Sequence, residues 1–63
     1  MDRLTVRERE VSRLIASGLS NKEIGRALGC TEGTIKVHLV HIFVKLGLRN
    51  RTQLAVLTTG DYQ

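Results

Sequence analysis

The sequence predicts an all-α domain of four short helices, the middle two too close together to be anything but a helix-turn-helix. Three observations carry this expectation. Gly18, Gly29, Gly47 and Gly60 each close a segment that opens with a capping residue, namely Thr5, Ser20, Thr31 or Asn50. A helix starts well where a side-chain oxygen accepts a bond from an orphan backbone N–H, and it stops well at glycine. Thr5 with Glu8, Ser20 with Glu23 and Asn50 with Gln53 carry the fuller capping-box spacing. Finally, only Gly29 and Cys30 separate the second helix from Thr31, the cap of the third. Two short helices joined by so tight a glycine-containing turn form the arrangement that reads DNA.

The first helix is expected over about 6–17. Val11, Leu14 and Ile15, with Leu4 and Leu19 at its flanks, recur at helical spacing and form one apolar stripe. Arg7, Arg9 and Arg13 lie off that stripe and read as a solvated face, the Arg9 and Arg13 charges offset by Glu10. The second helix is expected over 21–28, with Leu19 and Ile24 placed as a hydrophobic staple and Ile24, Ala27 and Leu28 toward the core. Gly25, in its middle, costs about 1 kcal/mol relative to alanine. Close approach of a neighbouring helix explains it, with a hinge as the alternative.

The third helix, over 32–46, is the longest. At about 100° per residue from Ile35, Leu39, Ile42 and Leu46 fall on one buried face, flanked by His38 and Phe43. The opposite face carries Gly33, Lys36, Val37, Val40 and Val44. Three valines and a lysine make sense on an outer face that meets a DNA groove or a protein. The fourth helix, over 51–59, holds the unbroken apolar run from Leu54 to Leu57, which points around the whole circumference. Leu54 and Leu57 are assigned to the core, and Thr52, Val56 and Thr59 to a second, shallower contact face.

At 63 residues this is one domain, residues 1–63, with a modest core and a stability on the order of a few kcal/mol. Ten Lys and Arg against six Asp and Glu give a formal charge of +4, a field that favours polyanionic partners. Phe43 and Tyr62 are the only aromatic residues, so the stacking platform of a single-strand binder is missing. The single cysteine, Cys30, excludes an internal disulfide and reads as a small turn residue. No apolar run approaches a membrane span, and no signal-peptide core is present, so a cytoplasmic protein is expected. His38 and His41 stand three apart without a third ligand at metal spacing, so no metal and no cofactor is implied. There is no nucleophile–base arrangement, phosphate-cradling loop or paired carboxylates, and the reading is of a non-enzyme.

On the third helix Lys36 is the one long polar donor of the outer face, suited to guanine O6 or N7, while Val37 and Val40 suit thymine methyls. Thr34, His41 and Lys45 line one edge of the helix and are candidates to track phosphates. Ser20, Asn21 and Lys22, at the start of the second helix, are candidates for the same role, aided there by the helix dipole.

The segments LTVREREV (Leu4–Val11), GLSNKEI (Gly18–Ile24), TIKVH (Thr34–His38), KLGL (Lys45–Leu48) and RTQ (Arg51–Gln53) closely resemble the LuxR-type DNA-binding domain. That module is shared by quorum-sensing regulators and NarL/FixJ response regulators, and the resemblance covers Leu4 to about Thr59. It implies a four-helix domain whose third helix enters the major groove, with base contacts at Gly33, Lys36 and Val37 and at Val40 one turn on. It also implies dimerisation on DNA through a fourth-helix face matching Thr52, Val56 and Thr59. Gly33 and Val37 stand where members often carry polar or basic readers, which shifts the burden of specificity to Lys36, methyl contacts and DNA shape.

The expected function is therefore sequence-specific, double-stranded-DNA-binding transcription regulation by a homodimer, with RNA polymerase a further candidate partner. A sigma-factor region-4-like module, binding promoter DNA and RNA polymerase without dimerising, is the nearest rival. A helical protein-interaction adaptor using Val37, Val40 and Val44 as a docking strip is the other.

Overall fold

The computed structural model describes residues 3–60, and the side chains as far as Thr58. It contains α1 (Val6–Ala16), α2 (Asn21–Leu28), α3 (Glu32–Leu46) and α4 (Arg51–Gly60), and no strand among the described residues. The four expected helices are present, with ends within one residue of those predicted.

The caps act as their spacing demands. Thr5 Oγ1 accepts from the Glu8 N–H at 3.1 Å and Glu8 Oε1 accepts from the Thr5 N–H at 2.9 Å. Ser20 and Glu23 repeat the exchange at 3.2 and 2.8 Å. Thr31 accepts from the Thr34 N–H at 3.1 Å. Asn50 Oδ1 caps α4 through the Gln53 N–H at 2.9 Å, but Gln53 Oε1 accepts from Arg49 N–H rather than from Asn50. The expected fourth-helix box is thus stepped back by one residue. Gly18 and Gly47, at φ 93° and 66°, close α1 and α3 with a paired bond pattern: Leu19 N–H to Leu14 O with Gly18 N–H to Ile15 O, and Leu48 N–H to Phe43 O with Gly47 N–H to Val44 O.

Leu4, Val11, Ile15, Ile24, Ile35, Leu39, Ile42 and Leu54 make one core. The first helix packs against each of the other three, while α2 pairs with α3. Two assignments are corrected. Ala27 is exposed, because the short α2 turns only Ile24 and Gly25 fully inward. On α4, Leu57 is 39% exposed and Thr58 is buried in the place assigned to it. The buried and half-buried positions are Arg51, Leu54, Ala55 and Thr58, one stripe at three- and four-residue spacing, and Leu57 falls to one side of it. The Thr58 hydroxyl is satisfied by donating to Leu54 O at 2.9 Å.

Glu8 does more than cap. Its side chain is 4% exposed, and Oε1 also accepts from Lys45 Nζ at 2.7 Å, tying the first turn of α1 to the last turn of α3. The Lys45 hydrogen bond, followed by the bond from Thr5 N–H, holds the Glu8 carboxyl below the usual carboxylate range against the opposing effect of burial. A carboxyl more acidic in the folded than in the unfolded chain stabilises fully above its unfolded pKa. That contribution is lost as pH falls through the folded value. Lys45→Met should destabilise the domain by about 1–3 kcal/mol, since it strands a buried carboxylate. Glu8→Gln, which keeps an acceptor for Thr5, should cost less and should weaken the acid sensitivity of thermal unfolding below about pH 4. Melting followed by circular dichroism between pH 3 and 7 checks both, and an unaltered acid slope in Glu8→Gln would remove Glu8 as its source.

Candidate nucleic-acid interface

The turn between α2 and α3 sets the angle of the exposed helix. Gly29, at φ 72°, ends α2 and bonds to Gly25 O, and Cys30 N–H bonds to the same oxygen at 2.8 Å. A Cβ on Gly25 would stand 2.7 Å from Cys30 O and 3.3 Å from Thr31 C. The mid-helix glycine is therefore explained by close approach, as expected, but of the turn leading into α3.

With α3 so held, Gly33, Lys36, Val37 and Val40 are all exposed on its outer face, Val37 at 54% and Val40 at 59%. Lys36 Nζ lies 3.9 Å from Glu32 Oε2, both side chains open to solvent. Glu32 was missed in reading the sequence, although its four-residue offset from Lys36 is a legible signal. An exposed pair of this kind is worth little, so the ammonium can change partner cheaply.

The edge row does not stay together. His41 is exposed, and Thr34 is exposed with its hydroxyl 3.0 Å from that of Thr31. Lys45 is half-buried and its ammonium is turned to Glu8. At the start of α2, Ser20 Oγ is occupied as the cap, and the capping bonds lower the Glu23 pKa. Lys22 is exposed and forms no ion pair among the described residues. Asn21 is half-buried, and its Oδ1 accepts from the Arg51 guanidinium, which also donates to Leu19 O. Sequence reasoning gave Arg51 no role, because its partners lie 30 and 32 residues away.

On α1, Arg7, Arg9 and Arg13 are exposed, and Glu10 pairs with Arg7 at 3.8 Å rather than standing between Arg9 and Arg13. On α4, Thr52 and Val56 are exposed, and they border a shallow groove of about 450 Å³ with Gly47, Leu48, Gln53 and Leu57. The side chain of Thr59 lies outside the described residues. Among the described residues no cluster of three metal-ligating side chains is found, and no helix is long and apolar enough to cross a membrane.

The profile of the bacterial regulatory proteins of the luxR family matches residues 2–58. The chain belongs to that family. It is a DNA-binding helix-turn-helix domain of transcription regulators. It is 48% identical over 56 residues to the nitrate/nitrite response regulator protein NarL of Escherichia coli (strain K12), which covers 89% of this chain and 26% of NarL. It is 51% identical over 53 residues to the transcriptional regulatory protein LnrK of Bacillus subtilis (strain 168), covering 84% of this chain and 24% of LnrK. The putative HTH-type transcriptional regulator YhjB of Escherichia coli (strain K12) is 48% identical over 54 residues, covering 86% of this chain and 27% of YhjB. The chain thus spans about a quarter of the length of these relatives.

Gly25→Ala should lower the melting temperature of this luxR-family domain. Alanine favours a helix interior by about 1 kcal/mol. A contact of 2.7 Å with a backbone oxygen reverses the sign, since the turn cannot yield without moving the start of α3. A raised melting temperature in the alanine variant would show the turn to be loose.

Proposed function

We propose that this chain binds double-stranded DNA sequence-specifically as a homodimer, in the cytoplasm, with α3 in the major groove and paired α4 helices joining the two copies. The observation that carries the reading is the outer face of α3. It presents Gly33, Lys36, Val37 and Val40 to solvent from a helix whose opposite face is locked into the core by Ile35, Leu39 and Ile42. The valines leave few polar groups to desolvate on entering a groove, and Lys36 supplies the one flexible donor.

Phosphate contacts fall to Lys22 and Asn21, with Ser20, Thr34 and His41, all three exposed, as further candidates. Lys45 is the weakest member of that set, since its ammonium would have to share or leave Glu8. Specificity beyond Lys36 rests on methyl contacts and on the shape of the duplex.

Selection of bound duplexes from a random pool supplies the site, and competition against unrelated duplex measures discrimination. Lys36→Ala should lower affinity for the selected site by about 1–3 kcal/mol and leave non-specific binding nearly intact. Lys22→Ala should weaken binding to all duplexes and reduce the magnitude of the salt slope by roughly 1. Equal loss of specific and non-specific binding in Lys36→Ala would make Lys36 a phosphate ligand and the proposed groove register wrong. Salt-independent binding would favour the adaptor reading.

For assembly, Val56→Glu should leave the domain folded and abolish cooperative binding to a duplex with two half-sites about 10 bp apart. Val56 is 66% exposed, so the substitution does not disturb the core. The strip is small, so pairing should need the local concentration that DNA provides. Titration onto one- and two-half-site duplexes, with circular dichroism as the fold control, decides. Cooperativity retained by the folded variant would place dimerisation elsewhere.

A further inference from the structure

The guanidinium of Arg51 joins two parts of the molecule that otherwise meet little. The fourth helix packs chiefly against α1, and its inward residues include Leu54, Ala55 and Thr58. Such contacts are mainly apolar and non-directional, and they leave a helix free to swivel by several degrees on the surface beneath it. Arg51, in the first turn of α4, adds a directional constraint. One of its nitrogens donates to Asn21 Oδ1, on the first residue of α2, and the other to the carbonyl oxygen of Leu19, just ahead of α2. Two donors of one rigid plane on two acceptors fix both position and rotation. The acceptors belong to the helix-turn-helix unit, whose α2–α3 angle is itself set by the contact at Gly25.

We propose that Arg51 is the positioning residue that sets half-site spacing, by locking the angle between α4 and the helix-turn-helix. This rests on the reading above, in which α4 joins the two copies and α3 reads the groove. The lever arm makes the angle matter. Two reading helices about 34 Å apart place each some 17 Å from the dyad, and a swivel of about 10° over that arm moves a helix by about 3 Å across the duplex. At about 10 Å from the duplex axis that is roughly 17° around the axis for each copy, and for the two copies together about the twist between successive base pairs. A loosened joint therefore blurs the preferred spacing by about a base pair while leaving each α3 able to read its own half-site.

The test uses the 63-residue chain and duplexes carrying two selected half-sites at centre-to-centre spacings of about 8 to 12 bp. The wild type should bind one spacing best and lose about tenfold in affinity one base pair away. Arg51→Met should flatten the profile to within about threefold, and affinity for a single half-site should change by no more than that. Arg51→Lys, with one ammonium in place of a two-nitrogen plane, should be intermediate. A wild-type-like sharp profile in Arg51→Met overturns the proposal, and so does a uniform loss at every spacing, which marks a role in folding or in placing Asn21 alone. If circular dichroism shows Arg51→Met unfolded, Arg51→Lys decides by the same criterion. A wild type without cooperativity at any spacing would overturn the dimer reading itself, an outcome distinct from a sharp profile shared by wild type and variants.

Discussion

Glu8 sits where the beginning of α1 meets the end of α3, and one of its oxygens takes both the Thr5 N–H and the Lys45 ammonium. In a core of eight buried apolar side chains among the described residues, there is little redundant packing to hold a long helix at one angle. The third helix is instead pinned at its two ends. At its C-terminal end the Glu8–Lys45 pair fixes it to α1. At its N-terminal end the turn from Gly29 to Thr31 lies so close over Gly25 that no side chain fits between. Ile35, Leu39 and Ile42 fill the space between these two points with the apolar contact that stabilises the fold but does not by itself choose an angle.

That division explains how α3 can carry apolar residues on both faces without becoming a buried helix. The inner face is branched and large, and it closes the core completely at Ile35 and Ile42. The outer face is short and smooth. Val37 and Val40 keep more than half their surface exposed, as is usual where another molecule uses that surface or where the patch is small. Glu32 keeps Lys36 company across one helical turn in the free chain, at an energy low enough for the ammonium to leave.

What the sequence made legible was local. Each cap joins residues three apart, the stops at Gly18, Gly29 and Gly47 close within their own turns, and the α2–α3 turn is two residues long, so the helices and their order could be read directly. What it concealed was non-local or decided by a few degrees of rotation. Lys45 looks like a member of a phosphate-tracking edge until Glu8, 37 residues earlier, claims its ammonium. Arg51 looks like one more surface cation until it is seen to reach Leu19 and Asn21. Leu57 and Thr58 are neighbours in the chain, and hydrophobicity alone selects the wrong one for the core.

The exchange at positions 57 and 58 is informative in itself. A helix evolved only to close this core would bury a leucine and expose a threonine. Here α4 buries Thr58, whose hydroxyl must be satisfied by Leu54 O, and half-buries Arg51, whose guanidinium must find two acceptors. Val56 and Leu57 are left in water. Each choice costs stability relative to the apolar alternative, because a buried polar group gains little net energy even when bonded and an exposed leucine gains nothing from burial. In the proposed dimer the offsetting gain lies on the side where Thr52, Val56 and Leu57 border the groove with Leu48. A second copy of α4 set against that strip would recover the apolar burial, and Arg51, on the opposite stripe, would hold the strip at a fixed angle to α3.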